Sequence, residues 1–225
     1  MSIKVNYEQL RDGLEGKGVT LVAVSKTKPL EMLREAYDAG ARDFGENKVQ
    51  ELVGKHEELP QDIRWHMIGH LQRNKVKYIA PFVHLIHSVD SLALLKEVNK
   101  RAANNERVIN VLLQVHIAEE ETKFGLTPDE LKELIASEEF AAFANVKVVG
   151  LMGMATNTGD EEKVRTEFSA LRKFFDEMKS KEQPGKFEMD ELSMGMSGDW
   201  GIAVEEGSTM IRVGSSIFGA RNYNI

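Results

Sequence analysis

A lysine closes the apolar run of the stretch LVAVSKTKP at 21–29. Lys26 falls in the alternation of Val22 and Val24, so it shares their face as an extended chain leaves the core. Taking an amine out of water disfavours its charged form, lowers its pKa from about 10.4 and frees a nucleophile suited to imine formation. Two turns near the C-terminus carry a second chemistry: Ser197-Gly198 follows ELSMGM, and Gly214-Ser215-Ser216 follows MIRV. Glycine lets a backbone approach an anion closely, serine hydroxyls add donors, and a turn that opens a helix offers its first N–H groups. Those are the parts of a phosphate cradle. Arg212 is the third element, because it sits inside an apolar run and points away from the side of Ile211 and Val213. A buried guanidinium needs an acceptor.

Each feature has a plain structural alternative: a lysine reaching back to solvent, two ordinary turns, an internal ion pair. Together, an amine, a phosphate cradle and an arginine describe a site for pyridoxal 5′-phosphate (PLP). Lys26 would take the aldehyde as a Schiff base, the 197–198 and 214–216 turns the phosphate, and Arg212 the pyridine nitrogen. An arginine there disfavours protonation of that nitrogen and makes the ring a poorer electron sink than an aspartate partner would.

Elements that could bring residues 26, 197 and 214 together are visible as short apolar runs. They are 21–24, Asp43-Phe44-Gly45, Trp65 to Ile68, Val83 to Ile86, Val108 to Ile117, Val146 to Met154, Met189 to Met194 and Met210 to Val213. Helical periodicity separates them. Leu30, Leu33, Ala36 and Tyr37 share a face, as do Leu92, Leu95, Val98 and Ala102, and Val164 to Met178 marks a longer helix before Pro184-Gly185. Thr127-Pro128 reads as an N-cap followed by a first-turn proline. Strand then helix, repeated about eight times with uniformly apolar strands, predicts an α/β fold: a (β/α)8 TIM-type barrel. The competing doubly wound sheet calls for a glycine-rich loop after the first strand, and SKTKP is not one. Active groups of a barrel lie where strands end, and the loops after its seventh and eighth strands are a recurrent phosphate site.

The chain has 225 residues with 29 Lys+Arg against 36 Asp+Glu, a net charge of −7. An acidic balance argues against nucleic acid and against anionic membranes as partners. Hydrophobic residues make up 42%, enough for an ordinary core, and no composition break divides 1–225, so one domain is expected. Without cysteine, disulfides, thiolate zinc sites and thiol nucleophiles are excluded. The N-terminus has no secretory pattern and no apolar run approaches a bilayer span, so the expectation is a cytoplasmic protein.

The segments LVAVSKTKP (21–29), FGENKVQE (44–51), WHMIGHLQRNKVK (65–77), IHSVDS (86–91) and ELSMGMSGDW…AVEEGSTMIRVGSSIFGAR (191–221) resemble the YggS/PROSC family, the pyridoxal phosphate homeostasis proteins. The resemblance spans nearly the whole chain in order. It implies the fold of the alanine racemase N-terminal domain, PLP as cofactor with Lys26 as its Schiff-base lysine, contacts at Ser197, Arg212, Gly214 and Ser215, and a supporting role for Asn47. It also implies a part in vitamin B6 and amino-acid homeostasis without a dedicated turnover. PLP and related B6 vitamers and apo-PLP enzymes are the expected partners, and a monomer is the expected state. One segment departs from the pattern. Where members carry QVNISGEESKxG, this chain reads QVHIAEEETKFG, with His116, Ala118 and Glu119 substituted and Lys123 and Gly125 kept.

Two other functions compete with a carrier. A racemase-like PLP enzyme wants a second acid/base on the opposite face of the imine, which in alanine racemase comes from a C-terminal β domain, and the chain continues for four residues after Arg221. A barrel aldolase would use Lys26 on a phosphorylated sugar and bind no chromophore. The six histidines lack metal-ligand spacing: His66 and His70 share a face only if a strand runs through Gly69, and His84 and His87 alternate to opposite faces. His66 reads as a polar barrel or cofactor-adjacent residue. Arg73, Lys75 and Lys77 read as a solvated helix start, Glu119 to Glu121 as an exposed loop, and Met152 or Met154 as core filler within reach of a ring.

Overall fold

Residues that alternate inward and outward along each strand are buried on both sides, which is why the runs are apolar without interruption. In the computed structural model, which describes residues 2–118 and 124–220, they form the wall of a barrel. The chain runs α1 (Ile3–Gly13), β1 (Thr20–Val24), α2 (Leu30–Asp38), β2 (Asp43–Glu46), α3 (Val49–Glu58) and β3 (Arg64–Met67). A 3-10 turn at Arg73–Lys75 leads into α4 (Val76–Ile79), then β4 (Leu85–Val89), α5 (Leu92–Ala103), β5 (Ile109–Gln114), α6 (Pro128–Ala136) and α7 (Glu138–Ala141). The remainder is β6 (Val146–Met152), α8 (Glu161–Lys179), β7 (Phe187–Met196), α9 (Trp200–Glu205), β8 (Met210–Val213) and α10 (Ser215–Phe218).

The eight strands pair in parallel in sequence order, and β1 closes on β8 with Val22 opposite Arg212. The predicted (β/α)8 barrel is the fold. Outward side chains such as Ala23, Phe44, Trp65, Ile86 and Ile211 join the buried faces of the helices in one continuous core. Inside the barrel a smaller apolar cluster of Val22, Leu85, Leu112, Val149, Met152 and Met210 fills part of the lumen.

Helix limits follow local chemistry. Thr127 caps α6 in a reciprocal box: the Glu130 N–H donates to Thr127 Oγ1 (3.2 Å) and the Thr127 N–H donates to Glu130 Oε2 (2.8 Å). The buried face of α8 includes Val164, Phe168, Leu171, Phe174, Phe175 and Met178, the stripe expected from periodicity. The helix α1 was not among the elements expected; Ser2 caps it, and Ile3 and Tyr7 anchor it. Among the described residues no helix is long and apolar enough to cross a membrane.

Candidate functional site

Above the C-terminal ends of the strands lies a cavity of about 480 Å³. Lys26, Asn47, Ser197, Gly198, Arg212, Gly214 and Ser215 all line it, although they come from both ends of the chain. The barrel brings these seven residues together; Ser216, the last residue of the 214–216 turn, is not among those that line the cavity. Ile68, Gly69, His70, Gln114, Phe124 and Met154 complete much of the wall.

Lys26 follows β1 on the side of Val24, which also faces the cavity, and is half-buried. The peptides on either side of it are clamped. Lys55 Nζ donates to Ser25 O (2.8 Å), and the Thr27 N–H donates to Glu51 Oε1 (2.5 Å). Thr27 adopts φ 64°, a left-handed conformation that a β-branched residue holds only when its surroundings impose it. Lys55 Nζ also donates to Glu46 Oε1 and Glu51 Oε1 (both 2.7 Å), while Ser25 Oγ donates to Glu46 Oε1 (2.6 Å). Glu46 is fully buried; burial, only partly offset by Lys55 and Ser25, pushes its carboxyl up to about 7. Lys28, two residues beyond Lys26, donates to the carbonyls of Phe218, Gly219 and Ala220 and so ties the β1 loop to the end of α10.

Two glycines set the close approaches. A Cβ on Gly69 would fall 2.5 Å from Asn47 O, so glycine lets the loop after β3 lie on the Asn47 backbone. A Cβ on Gly214 would sit 3.1 Å from Val24 O, where β8 passes the β1 end. The Gly214 N–H donates to Ser197 Oγ (3.1 Å), joining the turns after β7 and β8. A Cβ on Gly198 would meet open space.

Arg212 is 4% exposed at the cavity floor. Its Nη1 donates to Ser193 Oγ (2.5 Å) and its Nη2 to Gly153 O (3.2 Å). Both acceptors are neutral, and no carboxylate of the described residues pairs with it. Desolvation brings the guanidinium down to about 10, with Asp199 acting in the opposite direction, so it stays charged at neutral pH. The internal ion pair that sequence left open is therefore not what holds it.

From Ser193 a polar line descends through the lumen. His87 Nδ1 lies 3.0 Å from Ser193 Oγ, His87 Nε2 lies 2.9 Å from His66 Nδ1, and His66 Nε2 lies 3.0 Å from Asp43 Oδ1. Arg64 donates to both oxygens of Asp43 (2.7 and 2.5 Å). His66 is thus a polar barrel residue, one of the two readings sequence allowed. The expectation that His84 and His87 face opposite ways is corrected: β4 begins at Leu85, after His84, and both rings lie near His66, with centroids 5.4 and 5.2 Å away. His70 stands apart at the cavity wall, stacked on Phe124 at 4.3 Å. No group of three or more metal-binding side chains occurs among the described residues. Met154 lines the cavity, whereas Met152 is packed in the lumen. Of the departing segment, Ala118 is buried and His116 Nε2 lies 2.7 Å from Ala118 O; Glu119 to Lys123, and Arg221, fall outside the described residues.

Fold and site together define a barrel of the alanine racemase N-terminal class, whose family model matches residues 1–222. A pyridoxal phosphate homeostasis protein of Aquifex aeolicus (strain VF5) is 45% identical over 204 residues, covering 90% of this chain and 87% of the relative. The chain belongs to that family and, within it, to the pyridoxal phosphate homeostasis proteins. Among solved structures, PipY of Synechococcus elongatus PCC7942 with PLP bound aligns with TM-score 0.86 at 38% identity, over 97% of this chain and 100% of PipY. Alanine racemase from Streptomyces lavendulae shares the fold (TM-score 0.80) at 18% identity, over 97% of this chain and 57% of the racemase.

Proposed function

We propose that this protein holds PLP on Lys26 and serves vitamin B6 homeostasis as a cytoplasmic, monomeric carrier or regulator. Related vitamers are its ligands and apo-PLP enzymes its recipients, and the whole chain acts as one binding domain. The observation that carries the reading is the convergence of seven separately inferred residues on one cavity whose floor is a buried arginine without a carboxylate. The names of the relatives and the PLP-bound PipY structure support it.

The residues fit the cofactor. Lys26 Nζ would join the aldehyde carbon with loss of water, and the clamps on Ser25 and Thr27 hold its backbone still for that bond. Ser197, Gly198, Gly214 and Ser215 would take the phosphate, with close backbone approach and hydroxyl donors. Asn47 supports the site from the β2 side. Bound there, PLP supplies an electrophilic carbon and a conjugated ring able to accept electrons. Arg212 offers N–H donors and no acceptor, so a ring nitrogen set against it would stay unprotonated, which would limit carbanion chemistry.

The test is the visible spectrum. Protein loaded with PLP should be yellow, borohydride should bleach it and fix the label to Lys26, and Lys26→Ala should abolish the colour. A colourless protein that no amount of PLP loads overturns the proposal in favour of an aldolase. Amino-acid turnover by wild type but not by Lys26→Ala overturns the carrier role in favour of an enzyme.

A further inference from the structure

The line Asp43–His66–His87–Ser193–Arg212 crosses the lumen from the lower end of β2 to the cavity floor, and each contact in it is 2.5–3.0 Å. Its hydrogen atoms can be assigned in one direction that satisfies both ends. Arginine only donates, so Ser193 Oγ accepts from Arg212 and keeps a hydrogen that it can give to His87 Nδ1. That makes His87 an Nε2–H tautomer, which donates to His66 Nδ1. His66 is then also an Nε2–H tautomer and donates to Asp43. Starting from Asp43, an acceptor already engaged by Arg64, with both rings neutral, leads through the same bonds in the same direction.

We propose that Ser193, His87, His66 and Asp43 are positioning residues that form a one-way hydrogen-bond relay and aim the Arg212 guanidinium at its ligand. This inference rests on the reading of the cavity as a PLP site. Physically, the aligned bonds polarise one another and carry the influence of the Asp43 carboxylate to Arg212 without placing an anion beside it. The guanidinium is held in position, yet its charge is left for the ligand to meet. The charged and titratable groups around His66 are Asp43, Arg64, His84, His87 and Glu191; those around His87 are His66, His84 and Arg212. Burial, with His66 and Arg212 nearby, drives His87 well below the ordinary histidine value, in keeping with a neutral ring.

The test is nitrogen NMR of the 15N-histidine protein at about pH 8, above the usual histidine range. In the protein free of PLP, His66 and His87 should both appear as Nε2–H tautomers. Adding PLP should shift both signals, although neither ring lines the cavity. Ser193→Ala should abolish that shift and raise the Kd for PLP about tenfold, and Ser193→Thr, which keeps the hydroxyl, should restore both. A ring found as the Nδ1–H tautomer or as imidazolium overturns the relay, and so do ring signals that ignore PLP in protein whose colour shows it is loaded. Absence of colour means the cofactor reading has failed, a separate result. The tautomers of the free wild-type protein then still decide the direction of the relay, whether or not the variants fold.

Discussion

Two cations are buried in the upper half of this barrel, and they are held in opposite ways. Lys55, 6% exposed, lies outside the sheet against two carboxylates and a carbonyl. Arg212, 4% exposed, lies inside the sheet against a hydroxyl and a carbonyl. The first cluster is electrically closed and serves the backbone around Lys26. The second keeps an unneutralised charge facing a cavity. A buried cation whose counter-ions are built in is part of the scaffold; one without them keeps its charge available, as the role proposed for Arg212 requires.

The largest expected effects separate the two by substitution. Lys55→Met strands Glu46 in the wall and should cost the unliganded protein about 3–5 kcal/mol in urea unfolding. Arg212→Met removes a charge that is itself desolvated, so it should cost well under that while weakening PLP retention by about tenfold or more. Equal losses of stability would erase the distinction.

A second comparison uses pH. Glu46 has a folded pKa of about 7 against an ordinary 4.5, so the unfolded chain releases this proton first as pH rises. Its contribution to stability is complete below 4.5 and lost by about 7. Asp43 behaves in the reverse sense. Burial alone would raise it, but hydrogen bonds from His66 and Arg64 outweigh that and hold it well below its ordinary 3.8. Its contribution is present above 3.8 and lost as pH falls. Glu46→Gln should therefore flatten the stability profile between about 4.5 and 7, and Asp43→Asn should flatten the acid limb. An unaltered slope in Glu46→Gln would mean that Lys55 keeps the carboxylate ionised throughout. The smallest effect is expected at Thr27→Gly, which relieves the left-handed threonine beside Lys26 and should raise stability by about 1 kcal/mol in thermal melting. A clear loss there would assign the threonine side chain a role beyond tolerating the clamp.

Much of the architecture was legible because burial on both sheet faces leaves an uninterrupted apolar run in the sequence. Lys26, Arg212 and the two small-residue turns were legible for a related reason: each interrupts or closes such a run. Gln114 obeys the same rule at the end of β5 and could have been found by it. Asn47 was visible through family resemblance alone. The residues that were missed have partners set by register, not by local pattern. Lys55 reads as an ordinary helical lysine until α3 lays it over the β1 end. Asp43 and Ser193 look unremarkable until the pairing of β2 with β3, and of β7 with β8, places them beside His66 and Arg212. Where β4 begins decided the position of His84, and periodicity does not resolve an element boundary to a single residue.

The pairing of β1 with β8 makes neighbours of residues nearly two hundred positions apart, Val22 and Arg212 among them. During synthesis the amine at position 26 emerges early, but the guanidinium and the turn at 214 arrive with the last strand. On the proposed reading, a nascent or truncated chain would thus have the reactive amine without the means to keep its ligand. Capture of the ligand would then report that the ring of strands has closed, and its binding energy would reinforce the last junction to form.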